Sequence, residues 1–170
     1  MACSVNLSSY SLSDCFQSRG GVSDVWVASW VKDIFTIGTG GTVTGFSSGA
    51  TWYHQALRRN QSSLTSTYNY DDNAGSSFVS TEATWTYGKM QKEERMQMNA
   101  LIKGDLAIVV KDANGSYYAL GIEEPVKATA GTGETGTERT DANRYSITVT
   151  DYCSEFPALL DSSAISSLPE

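Results

Sequence analysis

The sequence predicts a mainly β domain that carries a single α-helix. Thr, Ser and Gly are abundant, and only one stretch, residues 90–103, consists of strong helix formers. Apolar residues make up 40% of the chain and charged residues 18%, which is typical of a globular protein. Because the 170 residues contain neither an internal repeat nor a linker, we expect residues 1–170 to form one domain.

The first predicted strand, residues 22–31, is apolar on both faces. Val25 and Val27 point to one side, while Trp26 and Trp30 point to the other. Such a strand is expected to be buried on both sides. Shorter strands are predicted at 33–37, 42–46 and 51–59.

Residues 62–70 and 77–87 predict a long β-hairpin closed by a polar loop at 71–75. Both strands alternate and are rich in Ser and Thr, so neither face is apolar enough to be a full core face. A hairpin of this kind exposes backbone edges that invite pairing with another chain. We therefore expect it to mediate subunit contacts rather than folding, through Leu64, Tyr68, Tyr70, Phe78, Val79 and Trp85.

The helix predicted at 90–103 has its apolar stripe in the second half. Met98, Leu101 and Ile102 share one face at helical spacing, and we expect them to pack on the sheets. Gly104 is expected to end the helix in the left-handed conformation.

The chain after the helix predicts two strands, a loop and a last strand. A continuous apolar run at 106–110 predicts a buried strand. The turn sequence Asp-Ala-Asn-Gly at 112–115 connects it to a second strand at 117–122. Residues 123–143 lack an apolar period and predict a mobile loop, and residues 144–152 predict the last strand.

These segments carry a resemblance to a known family. The helix at 94–104, the strand with its Asp-x-Asn-Gly turn, and the aromatic strand ending in Leu120-Gly121 resemble the C-terminal half of tail tube proteins of tailed bacteriophages. The Gly/Thr-rich loop and the last strand follow in the same order. A block around Asp14-Cys15 and residues 20–28 fits the N-terminal part of that pattern.

The resemblance implies a tail-tube-like β-sandwich or barrel flanked by one helix, and a structural role in the virion. Subunits of this family form stacked, hexameric rings around a channel that conducts phage DNA during ejection. The partners implied are other copies of the chain and tail proteins such as the terminator and the baseplate. DNA is expected to pass through the lumen without specific binding. The protein is expected in the phage tail after synthesis in the host cytoplasm.

Two alternatives stay open. An all-β binding or decoration module, holding carbohydrate or a protein partner through exposed Trp and Tyr, fits the composition. A ring-forming tail completion or baseplate protein of the same fold differs mainly in copy number and position.

Charge and cysteine content exclude several other classes. The formal net charge of −7 argues against an attractive surface for duplex DNA or for an anionic membrane. The three cysteines are odd in number and widely spaced, which is neither a disulfide framework nor a zinc pattern. No secretory signal and no membrane-spanning window is apparent, so we expect no membrane partner.

No motif predicts catalysis, a cofactor or a metal. Residues 45–49 match G-x-S-x-G, but no helix is predicted after Ser47, and His54, the only histidine, follows with no Asp or Glu between. Residues 131–136 match G-x-G-x-x-G, yet no helix is predicted there to hold a phosphate. We expect turns or loops at both places and predict that the chain is not an enzyme.

Overall fold

The structure is a computed structural model that describes residues 9, 18–57 and 61–169. Within these ranges the chain forms eleven strands in three antiparallel sheets and two helices, which confirms the prediction of a mainly β fold. Asp14 and Cys15 of the resemblance, and residues 58 and 59 of a predicted strand, lie outside the described residues.

The elements follow one another along the chain in a simple order. They are β1 (Val22–Ser29), β2 (Phe35–Ile37), β3 (Val43–Phe46), β4 (Tyr53–Ala56), β5 (Ser63–Asp71), β6 (Ser76–Tyr87), α1 (Lys92–Lys103), β7 (Leu106–Asp112), β8 (Tyr117–Leu120), β9 (Lys127–Glu134), β10 (Arg144–Cys153), β11 (Ala158–Leu159) and α2 (Ser162–Ile165). The strand orders are β11-β8-β7-β1-β4 in a five-stranded sheet, β5-β6-β10-β9 in a four-stranded sheet, and β2-β3 in a small hairpin.

The larger of two apolar clusters joins the five-stranded sheet, the four-stranded sheet and α1. Val25 and Ile108 belong to the five-stranded sheet, whereas Trp85 and Ile147 belong to the four-stranded sheet, and all four side chains are fully buried. A sandwich of two sheets with helix α1 against it therefore forms the main body.

A second cluster lies on the other face of the five-stranded sheet. Trp26 and Val109 project from that face and pack with Phe35 and Val43 of the β2-β3 hairpin. The C-terminal segment joins this cluster through Leu160 and other residues. Strand β1 is thus buried on both sides, as its sequence predicts.

Helix α1 packs against β9 and β10 through one turn of its predicted stripe. Met98 and Leu101 are buried in the larger cluster. Ile102 also lies against the sheet, over Gly131 of β9, but its side chain is 50% exposed and does not belong to the cluster. Gly104 is not left-handed as expected: its φ is −87° with ψ 156°, and its N–H donates to the carbonyl of Ala100.

The loop predicted at 123–143 is wrong for its first half, which forms strand β9. This strand pairs with β10 over Lys127–Glu134 although it has almost no apolar side chains. At Gly131 a Cβ atom would lie 3.4 Å from Ile102 Cδ1, and at Gly133 it would lie 2.7 Å from Tyr145 Cε1. The glycines leave room for Ile102 and the Tyr145 ring beside the strand, which itself stays largely exposed and is held by its pairing with β10.

The predicted long hairpin is formed by β5 and β6, with nine register pairs from Ser63–Thr84 to Asp71–Ser76. Its predicted separation from the core is wrong. Strand β6 is a central strand between β5 and β10, and Val79 and Trp85 are buried inside the sandwich. Only the outer face and the end near the turn are left to solvent.

Candidate assembly surface

The outer face of the four-stranded sheet is covered mainly with hydroxyl groups. Strand alternation places its Val79, Ala83 and Trp85 face on the core, so the opposite side chains point away from the body. These outward residues include Ser63, Thr65, Thr67, Ser80, Thr84, Thr86, Thr129, Thr132, Ser146, Thr148 and Thr150. Two of them, Thr86 and Thr150, are buried by their neighbours.

Hydroxyl pairs connect neighbouring strands across this face. Thr84 Oγ1 lies 2.9 Å from Thr148 Oγ1, which joins β6 to β10. Thr129 Oγ1 lies 3.0 Å from Thr150 Oγ1, which joins β9 to β10. Asn69 Nδ2 donates to Ser80 Oγ at 2.9 Å and joins β5 to β6. The face is polar, yet its side chains are held in fixed positions by one another.

The outer face carries little charge. Arg144 and Glu134, register partners on β10 and β9, form an ion pair. Glu82 on β6 is exposed and forms no ion pair with the described residues. The net charge of −7 is therefore not concentrated here, and the face is neutral and hydroxyl-rich over most of its area.

The end of the β5-β6 hairpin, residues 68–78, exposes aromatic side chains on both of its faces; we call it the hairpin tip. Tyr68 and Tyr70 are 55% and 62% exposed on one face, and Phe78 is 40% exposed on the other. Tyr152 of β10 is 51% exposed and meets Phe78 edge-on, with ring centroids 5.8 Å apart. Solvent-exposed aromatic residues in such a group indicate a contact surface.

The turn of the hairpin tip is acidic and internally bonded. Asp71 Oδ1 accepts the N–H of Asn73 at 2.9 Å and that of Ala74 at 3.3 Å, and Gly75 adopts a φ of 63°. The Tyr70 hydroxyl donates to Asp72 Oδ1 at 2.9 Å. These bonds order the turn and leave the carboxylate of Asp72 exposed to solvent.

The six predicted interface residues divide into three groups. Tyr68, Tyr70 and Phe78 lie together at the exposed hairpin tip. Val79 and Trp85 are buried at 2% and 0% exposure, so their assignment to an interface is wrong. Leu64 is partly buried against the core. Tyr152 joins this exposed group without having been predicted, and its alternation with the inward residues of the last strand is the signal that indicates its outward position.

Both edges of the four-stranded sheet are long. They are β5, with nine residues, and β9, with eight. The edges of the five-stranded sheet are short by comparison, because β4 has four residues and β11 has two. Long unpaired edges are the positions where another chain can add strands.

The residues of the sequence motifs do not come together as a reactive site. Ser47 lies in a turn after β3, and the chain continues into β4 without a helix. His54 Nε2 instead lies 3.0 Å from Asp24 Oδ1 and its ring stacks on Trp26. Gly131 and Gly133 lie inside strand β9, where no helix follows them. Within 18–57 and 61–169, no group of three His, Cys, Asp or Glu side chains is placed to hold a metal.

One buried carboxyl group lies near the hairpin tip end of the sheet. Asp151 is 3% exposed on the inner face of β10, opposite Thr81, and its Oδ1 has no hydrogen-bond partner in the described part of the chain. Burial, together with the nearby charges of Glu123 and Glu124, raises the pKa of Asp151 to about 6. Backbone N–H groups of Gly121 and Tyr152 offset this only in part.

The four tryptophans do not form an exposed platform. Trp26, Trp52 and Trp85 are buried, and Trp30 is half-buried with its Nε1 donating to the Gly121 carbonyl at 2.8 Å. None of the helices in the described ranges combines the length and the hydropathy that crossing a bilayer requires.

Comparison with known proteins does not assign the chain to a family. No protein-family model matches the sequence, and no curated protein matches it either.

Proposed function

We propose that the chain is a structural virion protein, a tail tube subunit whose rings enclose a channel for phage DNA. The observation that carries this proposal is the four-stranded sheet, which combines a free hydroxyl-rich face with two long open edges. The resemblance to tail tube proteins gives the same function. Other copies of the chain, the tail terminator and the baseplate are the partners that this role requires.

The strand directions of the sheet favour closure into a ring. Each neighbouring pair, β5-β6, β6-β10 and β10-β9, is antiparallel, so β5 and β9 run in opposite directions. If β5 of one copy pairs with β9 of the next, that new pair is antiparallel as well. The seam then continues the pattern of the sheet, and closure of the ring removes every edge.

The size of such a ring suits a conducting channel. Six copies of the sheet give a barrel of about 24 strands, and at about 4.8 Å per strand its circumference is about 115 Å. The corresponding backbone diameter is about 37 Å, and tilted strands make it larger. The rest of the body lies on the other face of the sheet, so the wider outside of the ring accommodates it.

The side chains on the outer face of the four-stranded sheet suit a channel through which DNA passes without binding. Phosphate recognition needs Lys or Arg side chains, whereas Arg144 on this face is already paired with Glu134. Hydroxyl groups that bond to one another offer little to attract the DNA backbone. In this arrangement the low charge of the face lets DNA slide, and the exposed carboxylate of Glu82, which forms no ion pair with the described residues, repels the DNA backbone.

Electron microscopy of the purified protein tests the proposal, with rings or tubes as the expected result. A double variant, Thr65→Lys with Thr67→Lys, places cations on the β5 edge and should abolish rings because lysines on an edge oppose strand pairing. Glu82→Lys adds a cation to central strand β6 on the same face, and it serves as the control that keeps rings. A wild-type chain that stays monomeric at high concentration contradicts the proposal.

The exposed hairpin tip supports a second candidate, a binding module. Because three tryptophans are buried, a sugar-stacking surface would have to use Tyr68, Tyr70 and Tyr152. A monomer that binds glycans through these tyrosines favours this candidate. Single rings that never stack favour instead a tail completion or baseplate protein of the same fold.

A further inference from the structure

An apolar groove lies between helix α1 and the β4 edge of the five-stranded sheet; we call it the α1–β4 groove. It encloses about 480 Å³ and is lined by Val27, Ala28, Ser29, Trp30, Tyr53, Gln55, Gln97, Ala100, Leu101, Gly104, Asp105 and Leu106. This volume is in the range of pockets that hold several large side chains. Its lining is mostly apolar, and Gln55 and Gln97 supply amide groups.

The groove also contains a free position next to a strand. Strand β1 pairs with β4 only as far as Val27, whose partner is Tyr53, the first residue of β4. Strand β1 itself continues to Ser29, so Ala28 and Ser29 have no register partner in β4. An added extended segment can extend the sheet beside these two residues through backbone hydrogen bonds.

The hairpin tip has the properties that this groove requires. It is an extended two-stranded ribbon beyond the end of β10, whose last residue pairs with Val79, and it carries Tyr68, Tyr70 and Phe78. Tyrosine supplies apolar area for the groove and a hydroxyl for its amide groups.

Charge is complementary between the two surfaces. The turn of the hairpin tip exposes Asp72. On α1, Lys103 follows the groove residue Ala100 by three positions and is therefore its neighbour on the helix surface. Lys103 is exposed and forms no ion pair with the described residues. The carboxylate that lines the groove, that of Asp105, is already paired with Lys127, so Lys103 leaves the groove side with a net positive charge.

The hairpin tip and the groove lie at opposite ends of β6. The groove residue Gln55 accepts a hydrogen bond of 3.1 Å from the hydroxyl of Tyr87, the last residue of β6. The hairpin tip is at the other end, near Ser76, and eleven residues of strand span about 37 Å at about 3.4 Å per residue. One copy therefore cannot place its tip in its own groove.

We propose that the hairpin tip of one copy docks in the α1–β4 groove of a second copy, and that this contact stacks one ring on the next. The two surfaces are different and lie at opposite ends, so the contact is heterologous and repeats without limit. The inference depends on the proposed function for the existence of rings, but it uses a different surface from the β5–β9 seam.

Photo-crosslinking locates the contact directly. A benzophenone amino acid at position 70, in place of Tyr70, should crosslink to peptides 27–30 or 97–106 of another copy, as identified by mass spectrometry. The same probe in place of Met96, which is exposed on α1 but does not line the groove, should give no crosslink to hairpin residues. Crosslinks from position 70 that consistently avoid the groove overturn the inference.

Filling the groove should separate stacking from ring formation. Ala100→Trp places a large ring in the groove, while Met96→Trp makes a similar change outside it on the same helix. We expect single rings from Ala100→Trp and normal tubes from Met96→Trp in electron micrographs. Replacement of Tyr70–Ser77 by Asn-Gly, a two-residue turn between the register partners Asn69 and Phe78, should also give single rings.

A charge exchange provides a rescue experiment. Lys103→Glu should shorten tubes at low salt because Asp72 then meets a like charge, and adding Asp72→Lys should restore their length. Lys92→Glu, on the same helix outside the groove lining, is the matched control. This inference is overturned if Ala100→Trp and the Asn-Gly variant still form rings and those rings stack into tubes of normal length. A wild-type chain without rings overturns the proposed function, and this inference with it.

Discussion

Truncation of Leu101 tests how helix α1 is attached to the sandwich, and its neighbour Ile102 offers a matched control. Both are large aliphatic residues near the end of the same helix. Leu101 is 5% exposed in the larger apolar cluster, whereas Ile102 is half exposed over β9. Substitution by Ala therefore removes similar aliphatic groups from a buried side chain and from a half-exposed one.

The expected losses follow from burial. Leu101→Ala removes about three buried carbon groups, and at about 0.8 kcal/mol each the transfer loss is about 2.4 kcal/mol. A cavity adds to this, but Leu101 also lines the α1–β4 groove, so the space opens toward solvent and the added cost is small. We expect a total of about 2.5–3 kcal/mol for Leu101→Ala and about 1 kcal/mol for Ile102→Ala.

Urea denaturation measures both values in the free energy of unfolding, provided the protein is dilute enough to stay monomeric. The slope of that free energy against urea should stay unchanged, since neither substitution alters the surface exposed on unfolding by much. Equal losses at the two positions would refute this account of the packing. A loss below about 0.5 kcal/mol for Leu101→Ala would show that α1 is attached in another way.

Three further predictions concern other parts of the sheet. The pKa of Asp151 is raised from 3.8 to about 6 in the folded chain, so the folded state binds the proton more tightly than the unfolded state. The free energy of unfolding should therefore fall by about 2–3 kcal/mol as pH rises from about 4 to above 6. Urea titrations at several pH values should show this fall in the wild-type chain and not in Asp151→Asn. Gly133→Ala should cost about 1–3 kcal/mol because the new methyl group meets the Tyr145 ring, while Gly131→Ala should be near neutral, and equal thermal shifts for the two would contradict this. Glu82→Lys should make tubes bind short duplex DNA in a salt-dependent way, measured by fluorescence anisotropy, and equal binding by the α1 variant Glu93→Lys would count against a channel-facing position for Glu82.

Locally encoded elements could be predicted from the sequence. The turn at 112–115 forms because Asp112 Oδ1 accepts the N–H groups of Asn114 and Ser116, and Gly115 adopts a φ of 89°. The run of helix formers predicts the start of α1 to within two residues. These features depend on residues a few positions apart, and no distant contact is needed to specify them.

Elements that depend on distant neighbours could not be predicted. Strand β9 has the composition of a loop, and its pairing with the distant strand β10 makes it part of the sheet, while its glycines leave room for Tyr145 and the side chains of α1. The hairpin alternates polar and apolar residues over its whole length, and this pattern alone places Val79 and Trp85 at an interface. The apolar face that buries them comes from the distant strand β10, where Ile147 is the register partner of Trp85.

The two long edges of the four-stranded sheet also affect the kinetics of assembly. In the proposed ring, each added subunit covers one edge and exposes an identical one, so a partial ring is as adhesive as a monomer. Only the closed ring has no edge left. We therefore expect a critical concentration, with monomers below it, complete rings above it and few arcs at any concentration. Control over where tubes begin then depends on a nucleating ring, because the folded subunit already carries both adhesive edges.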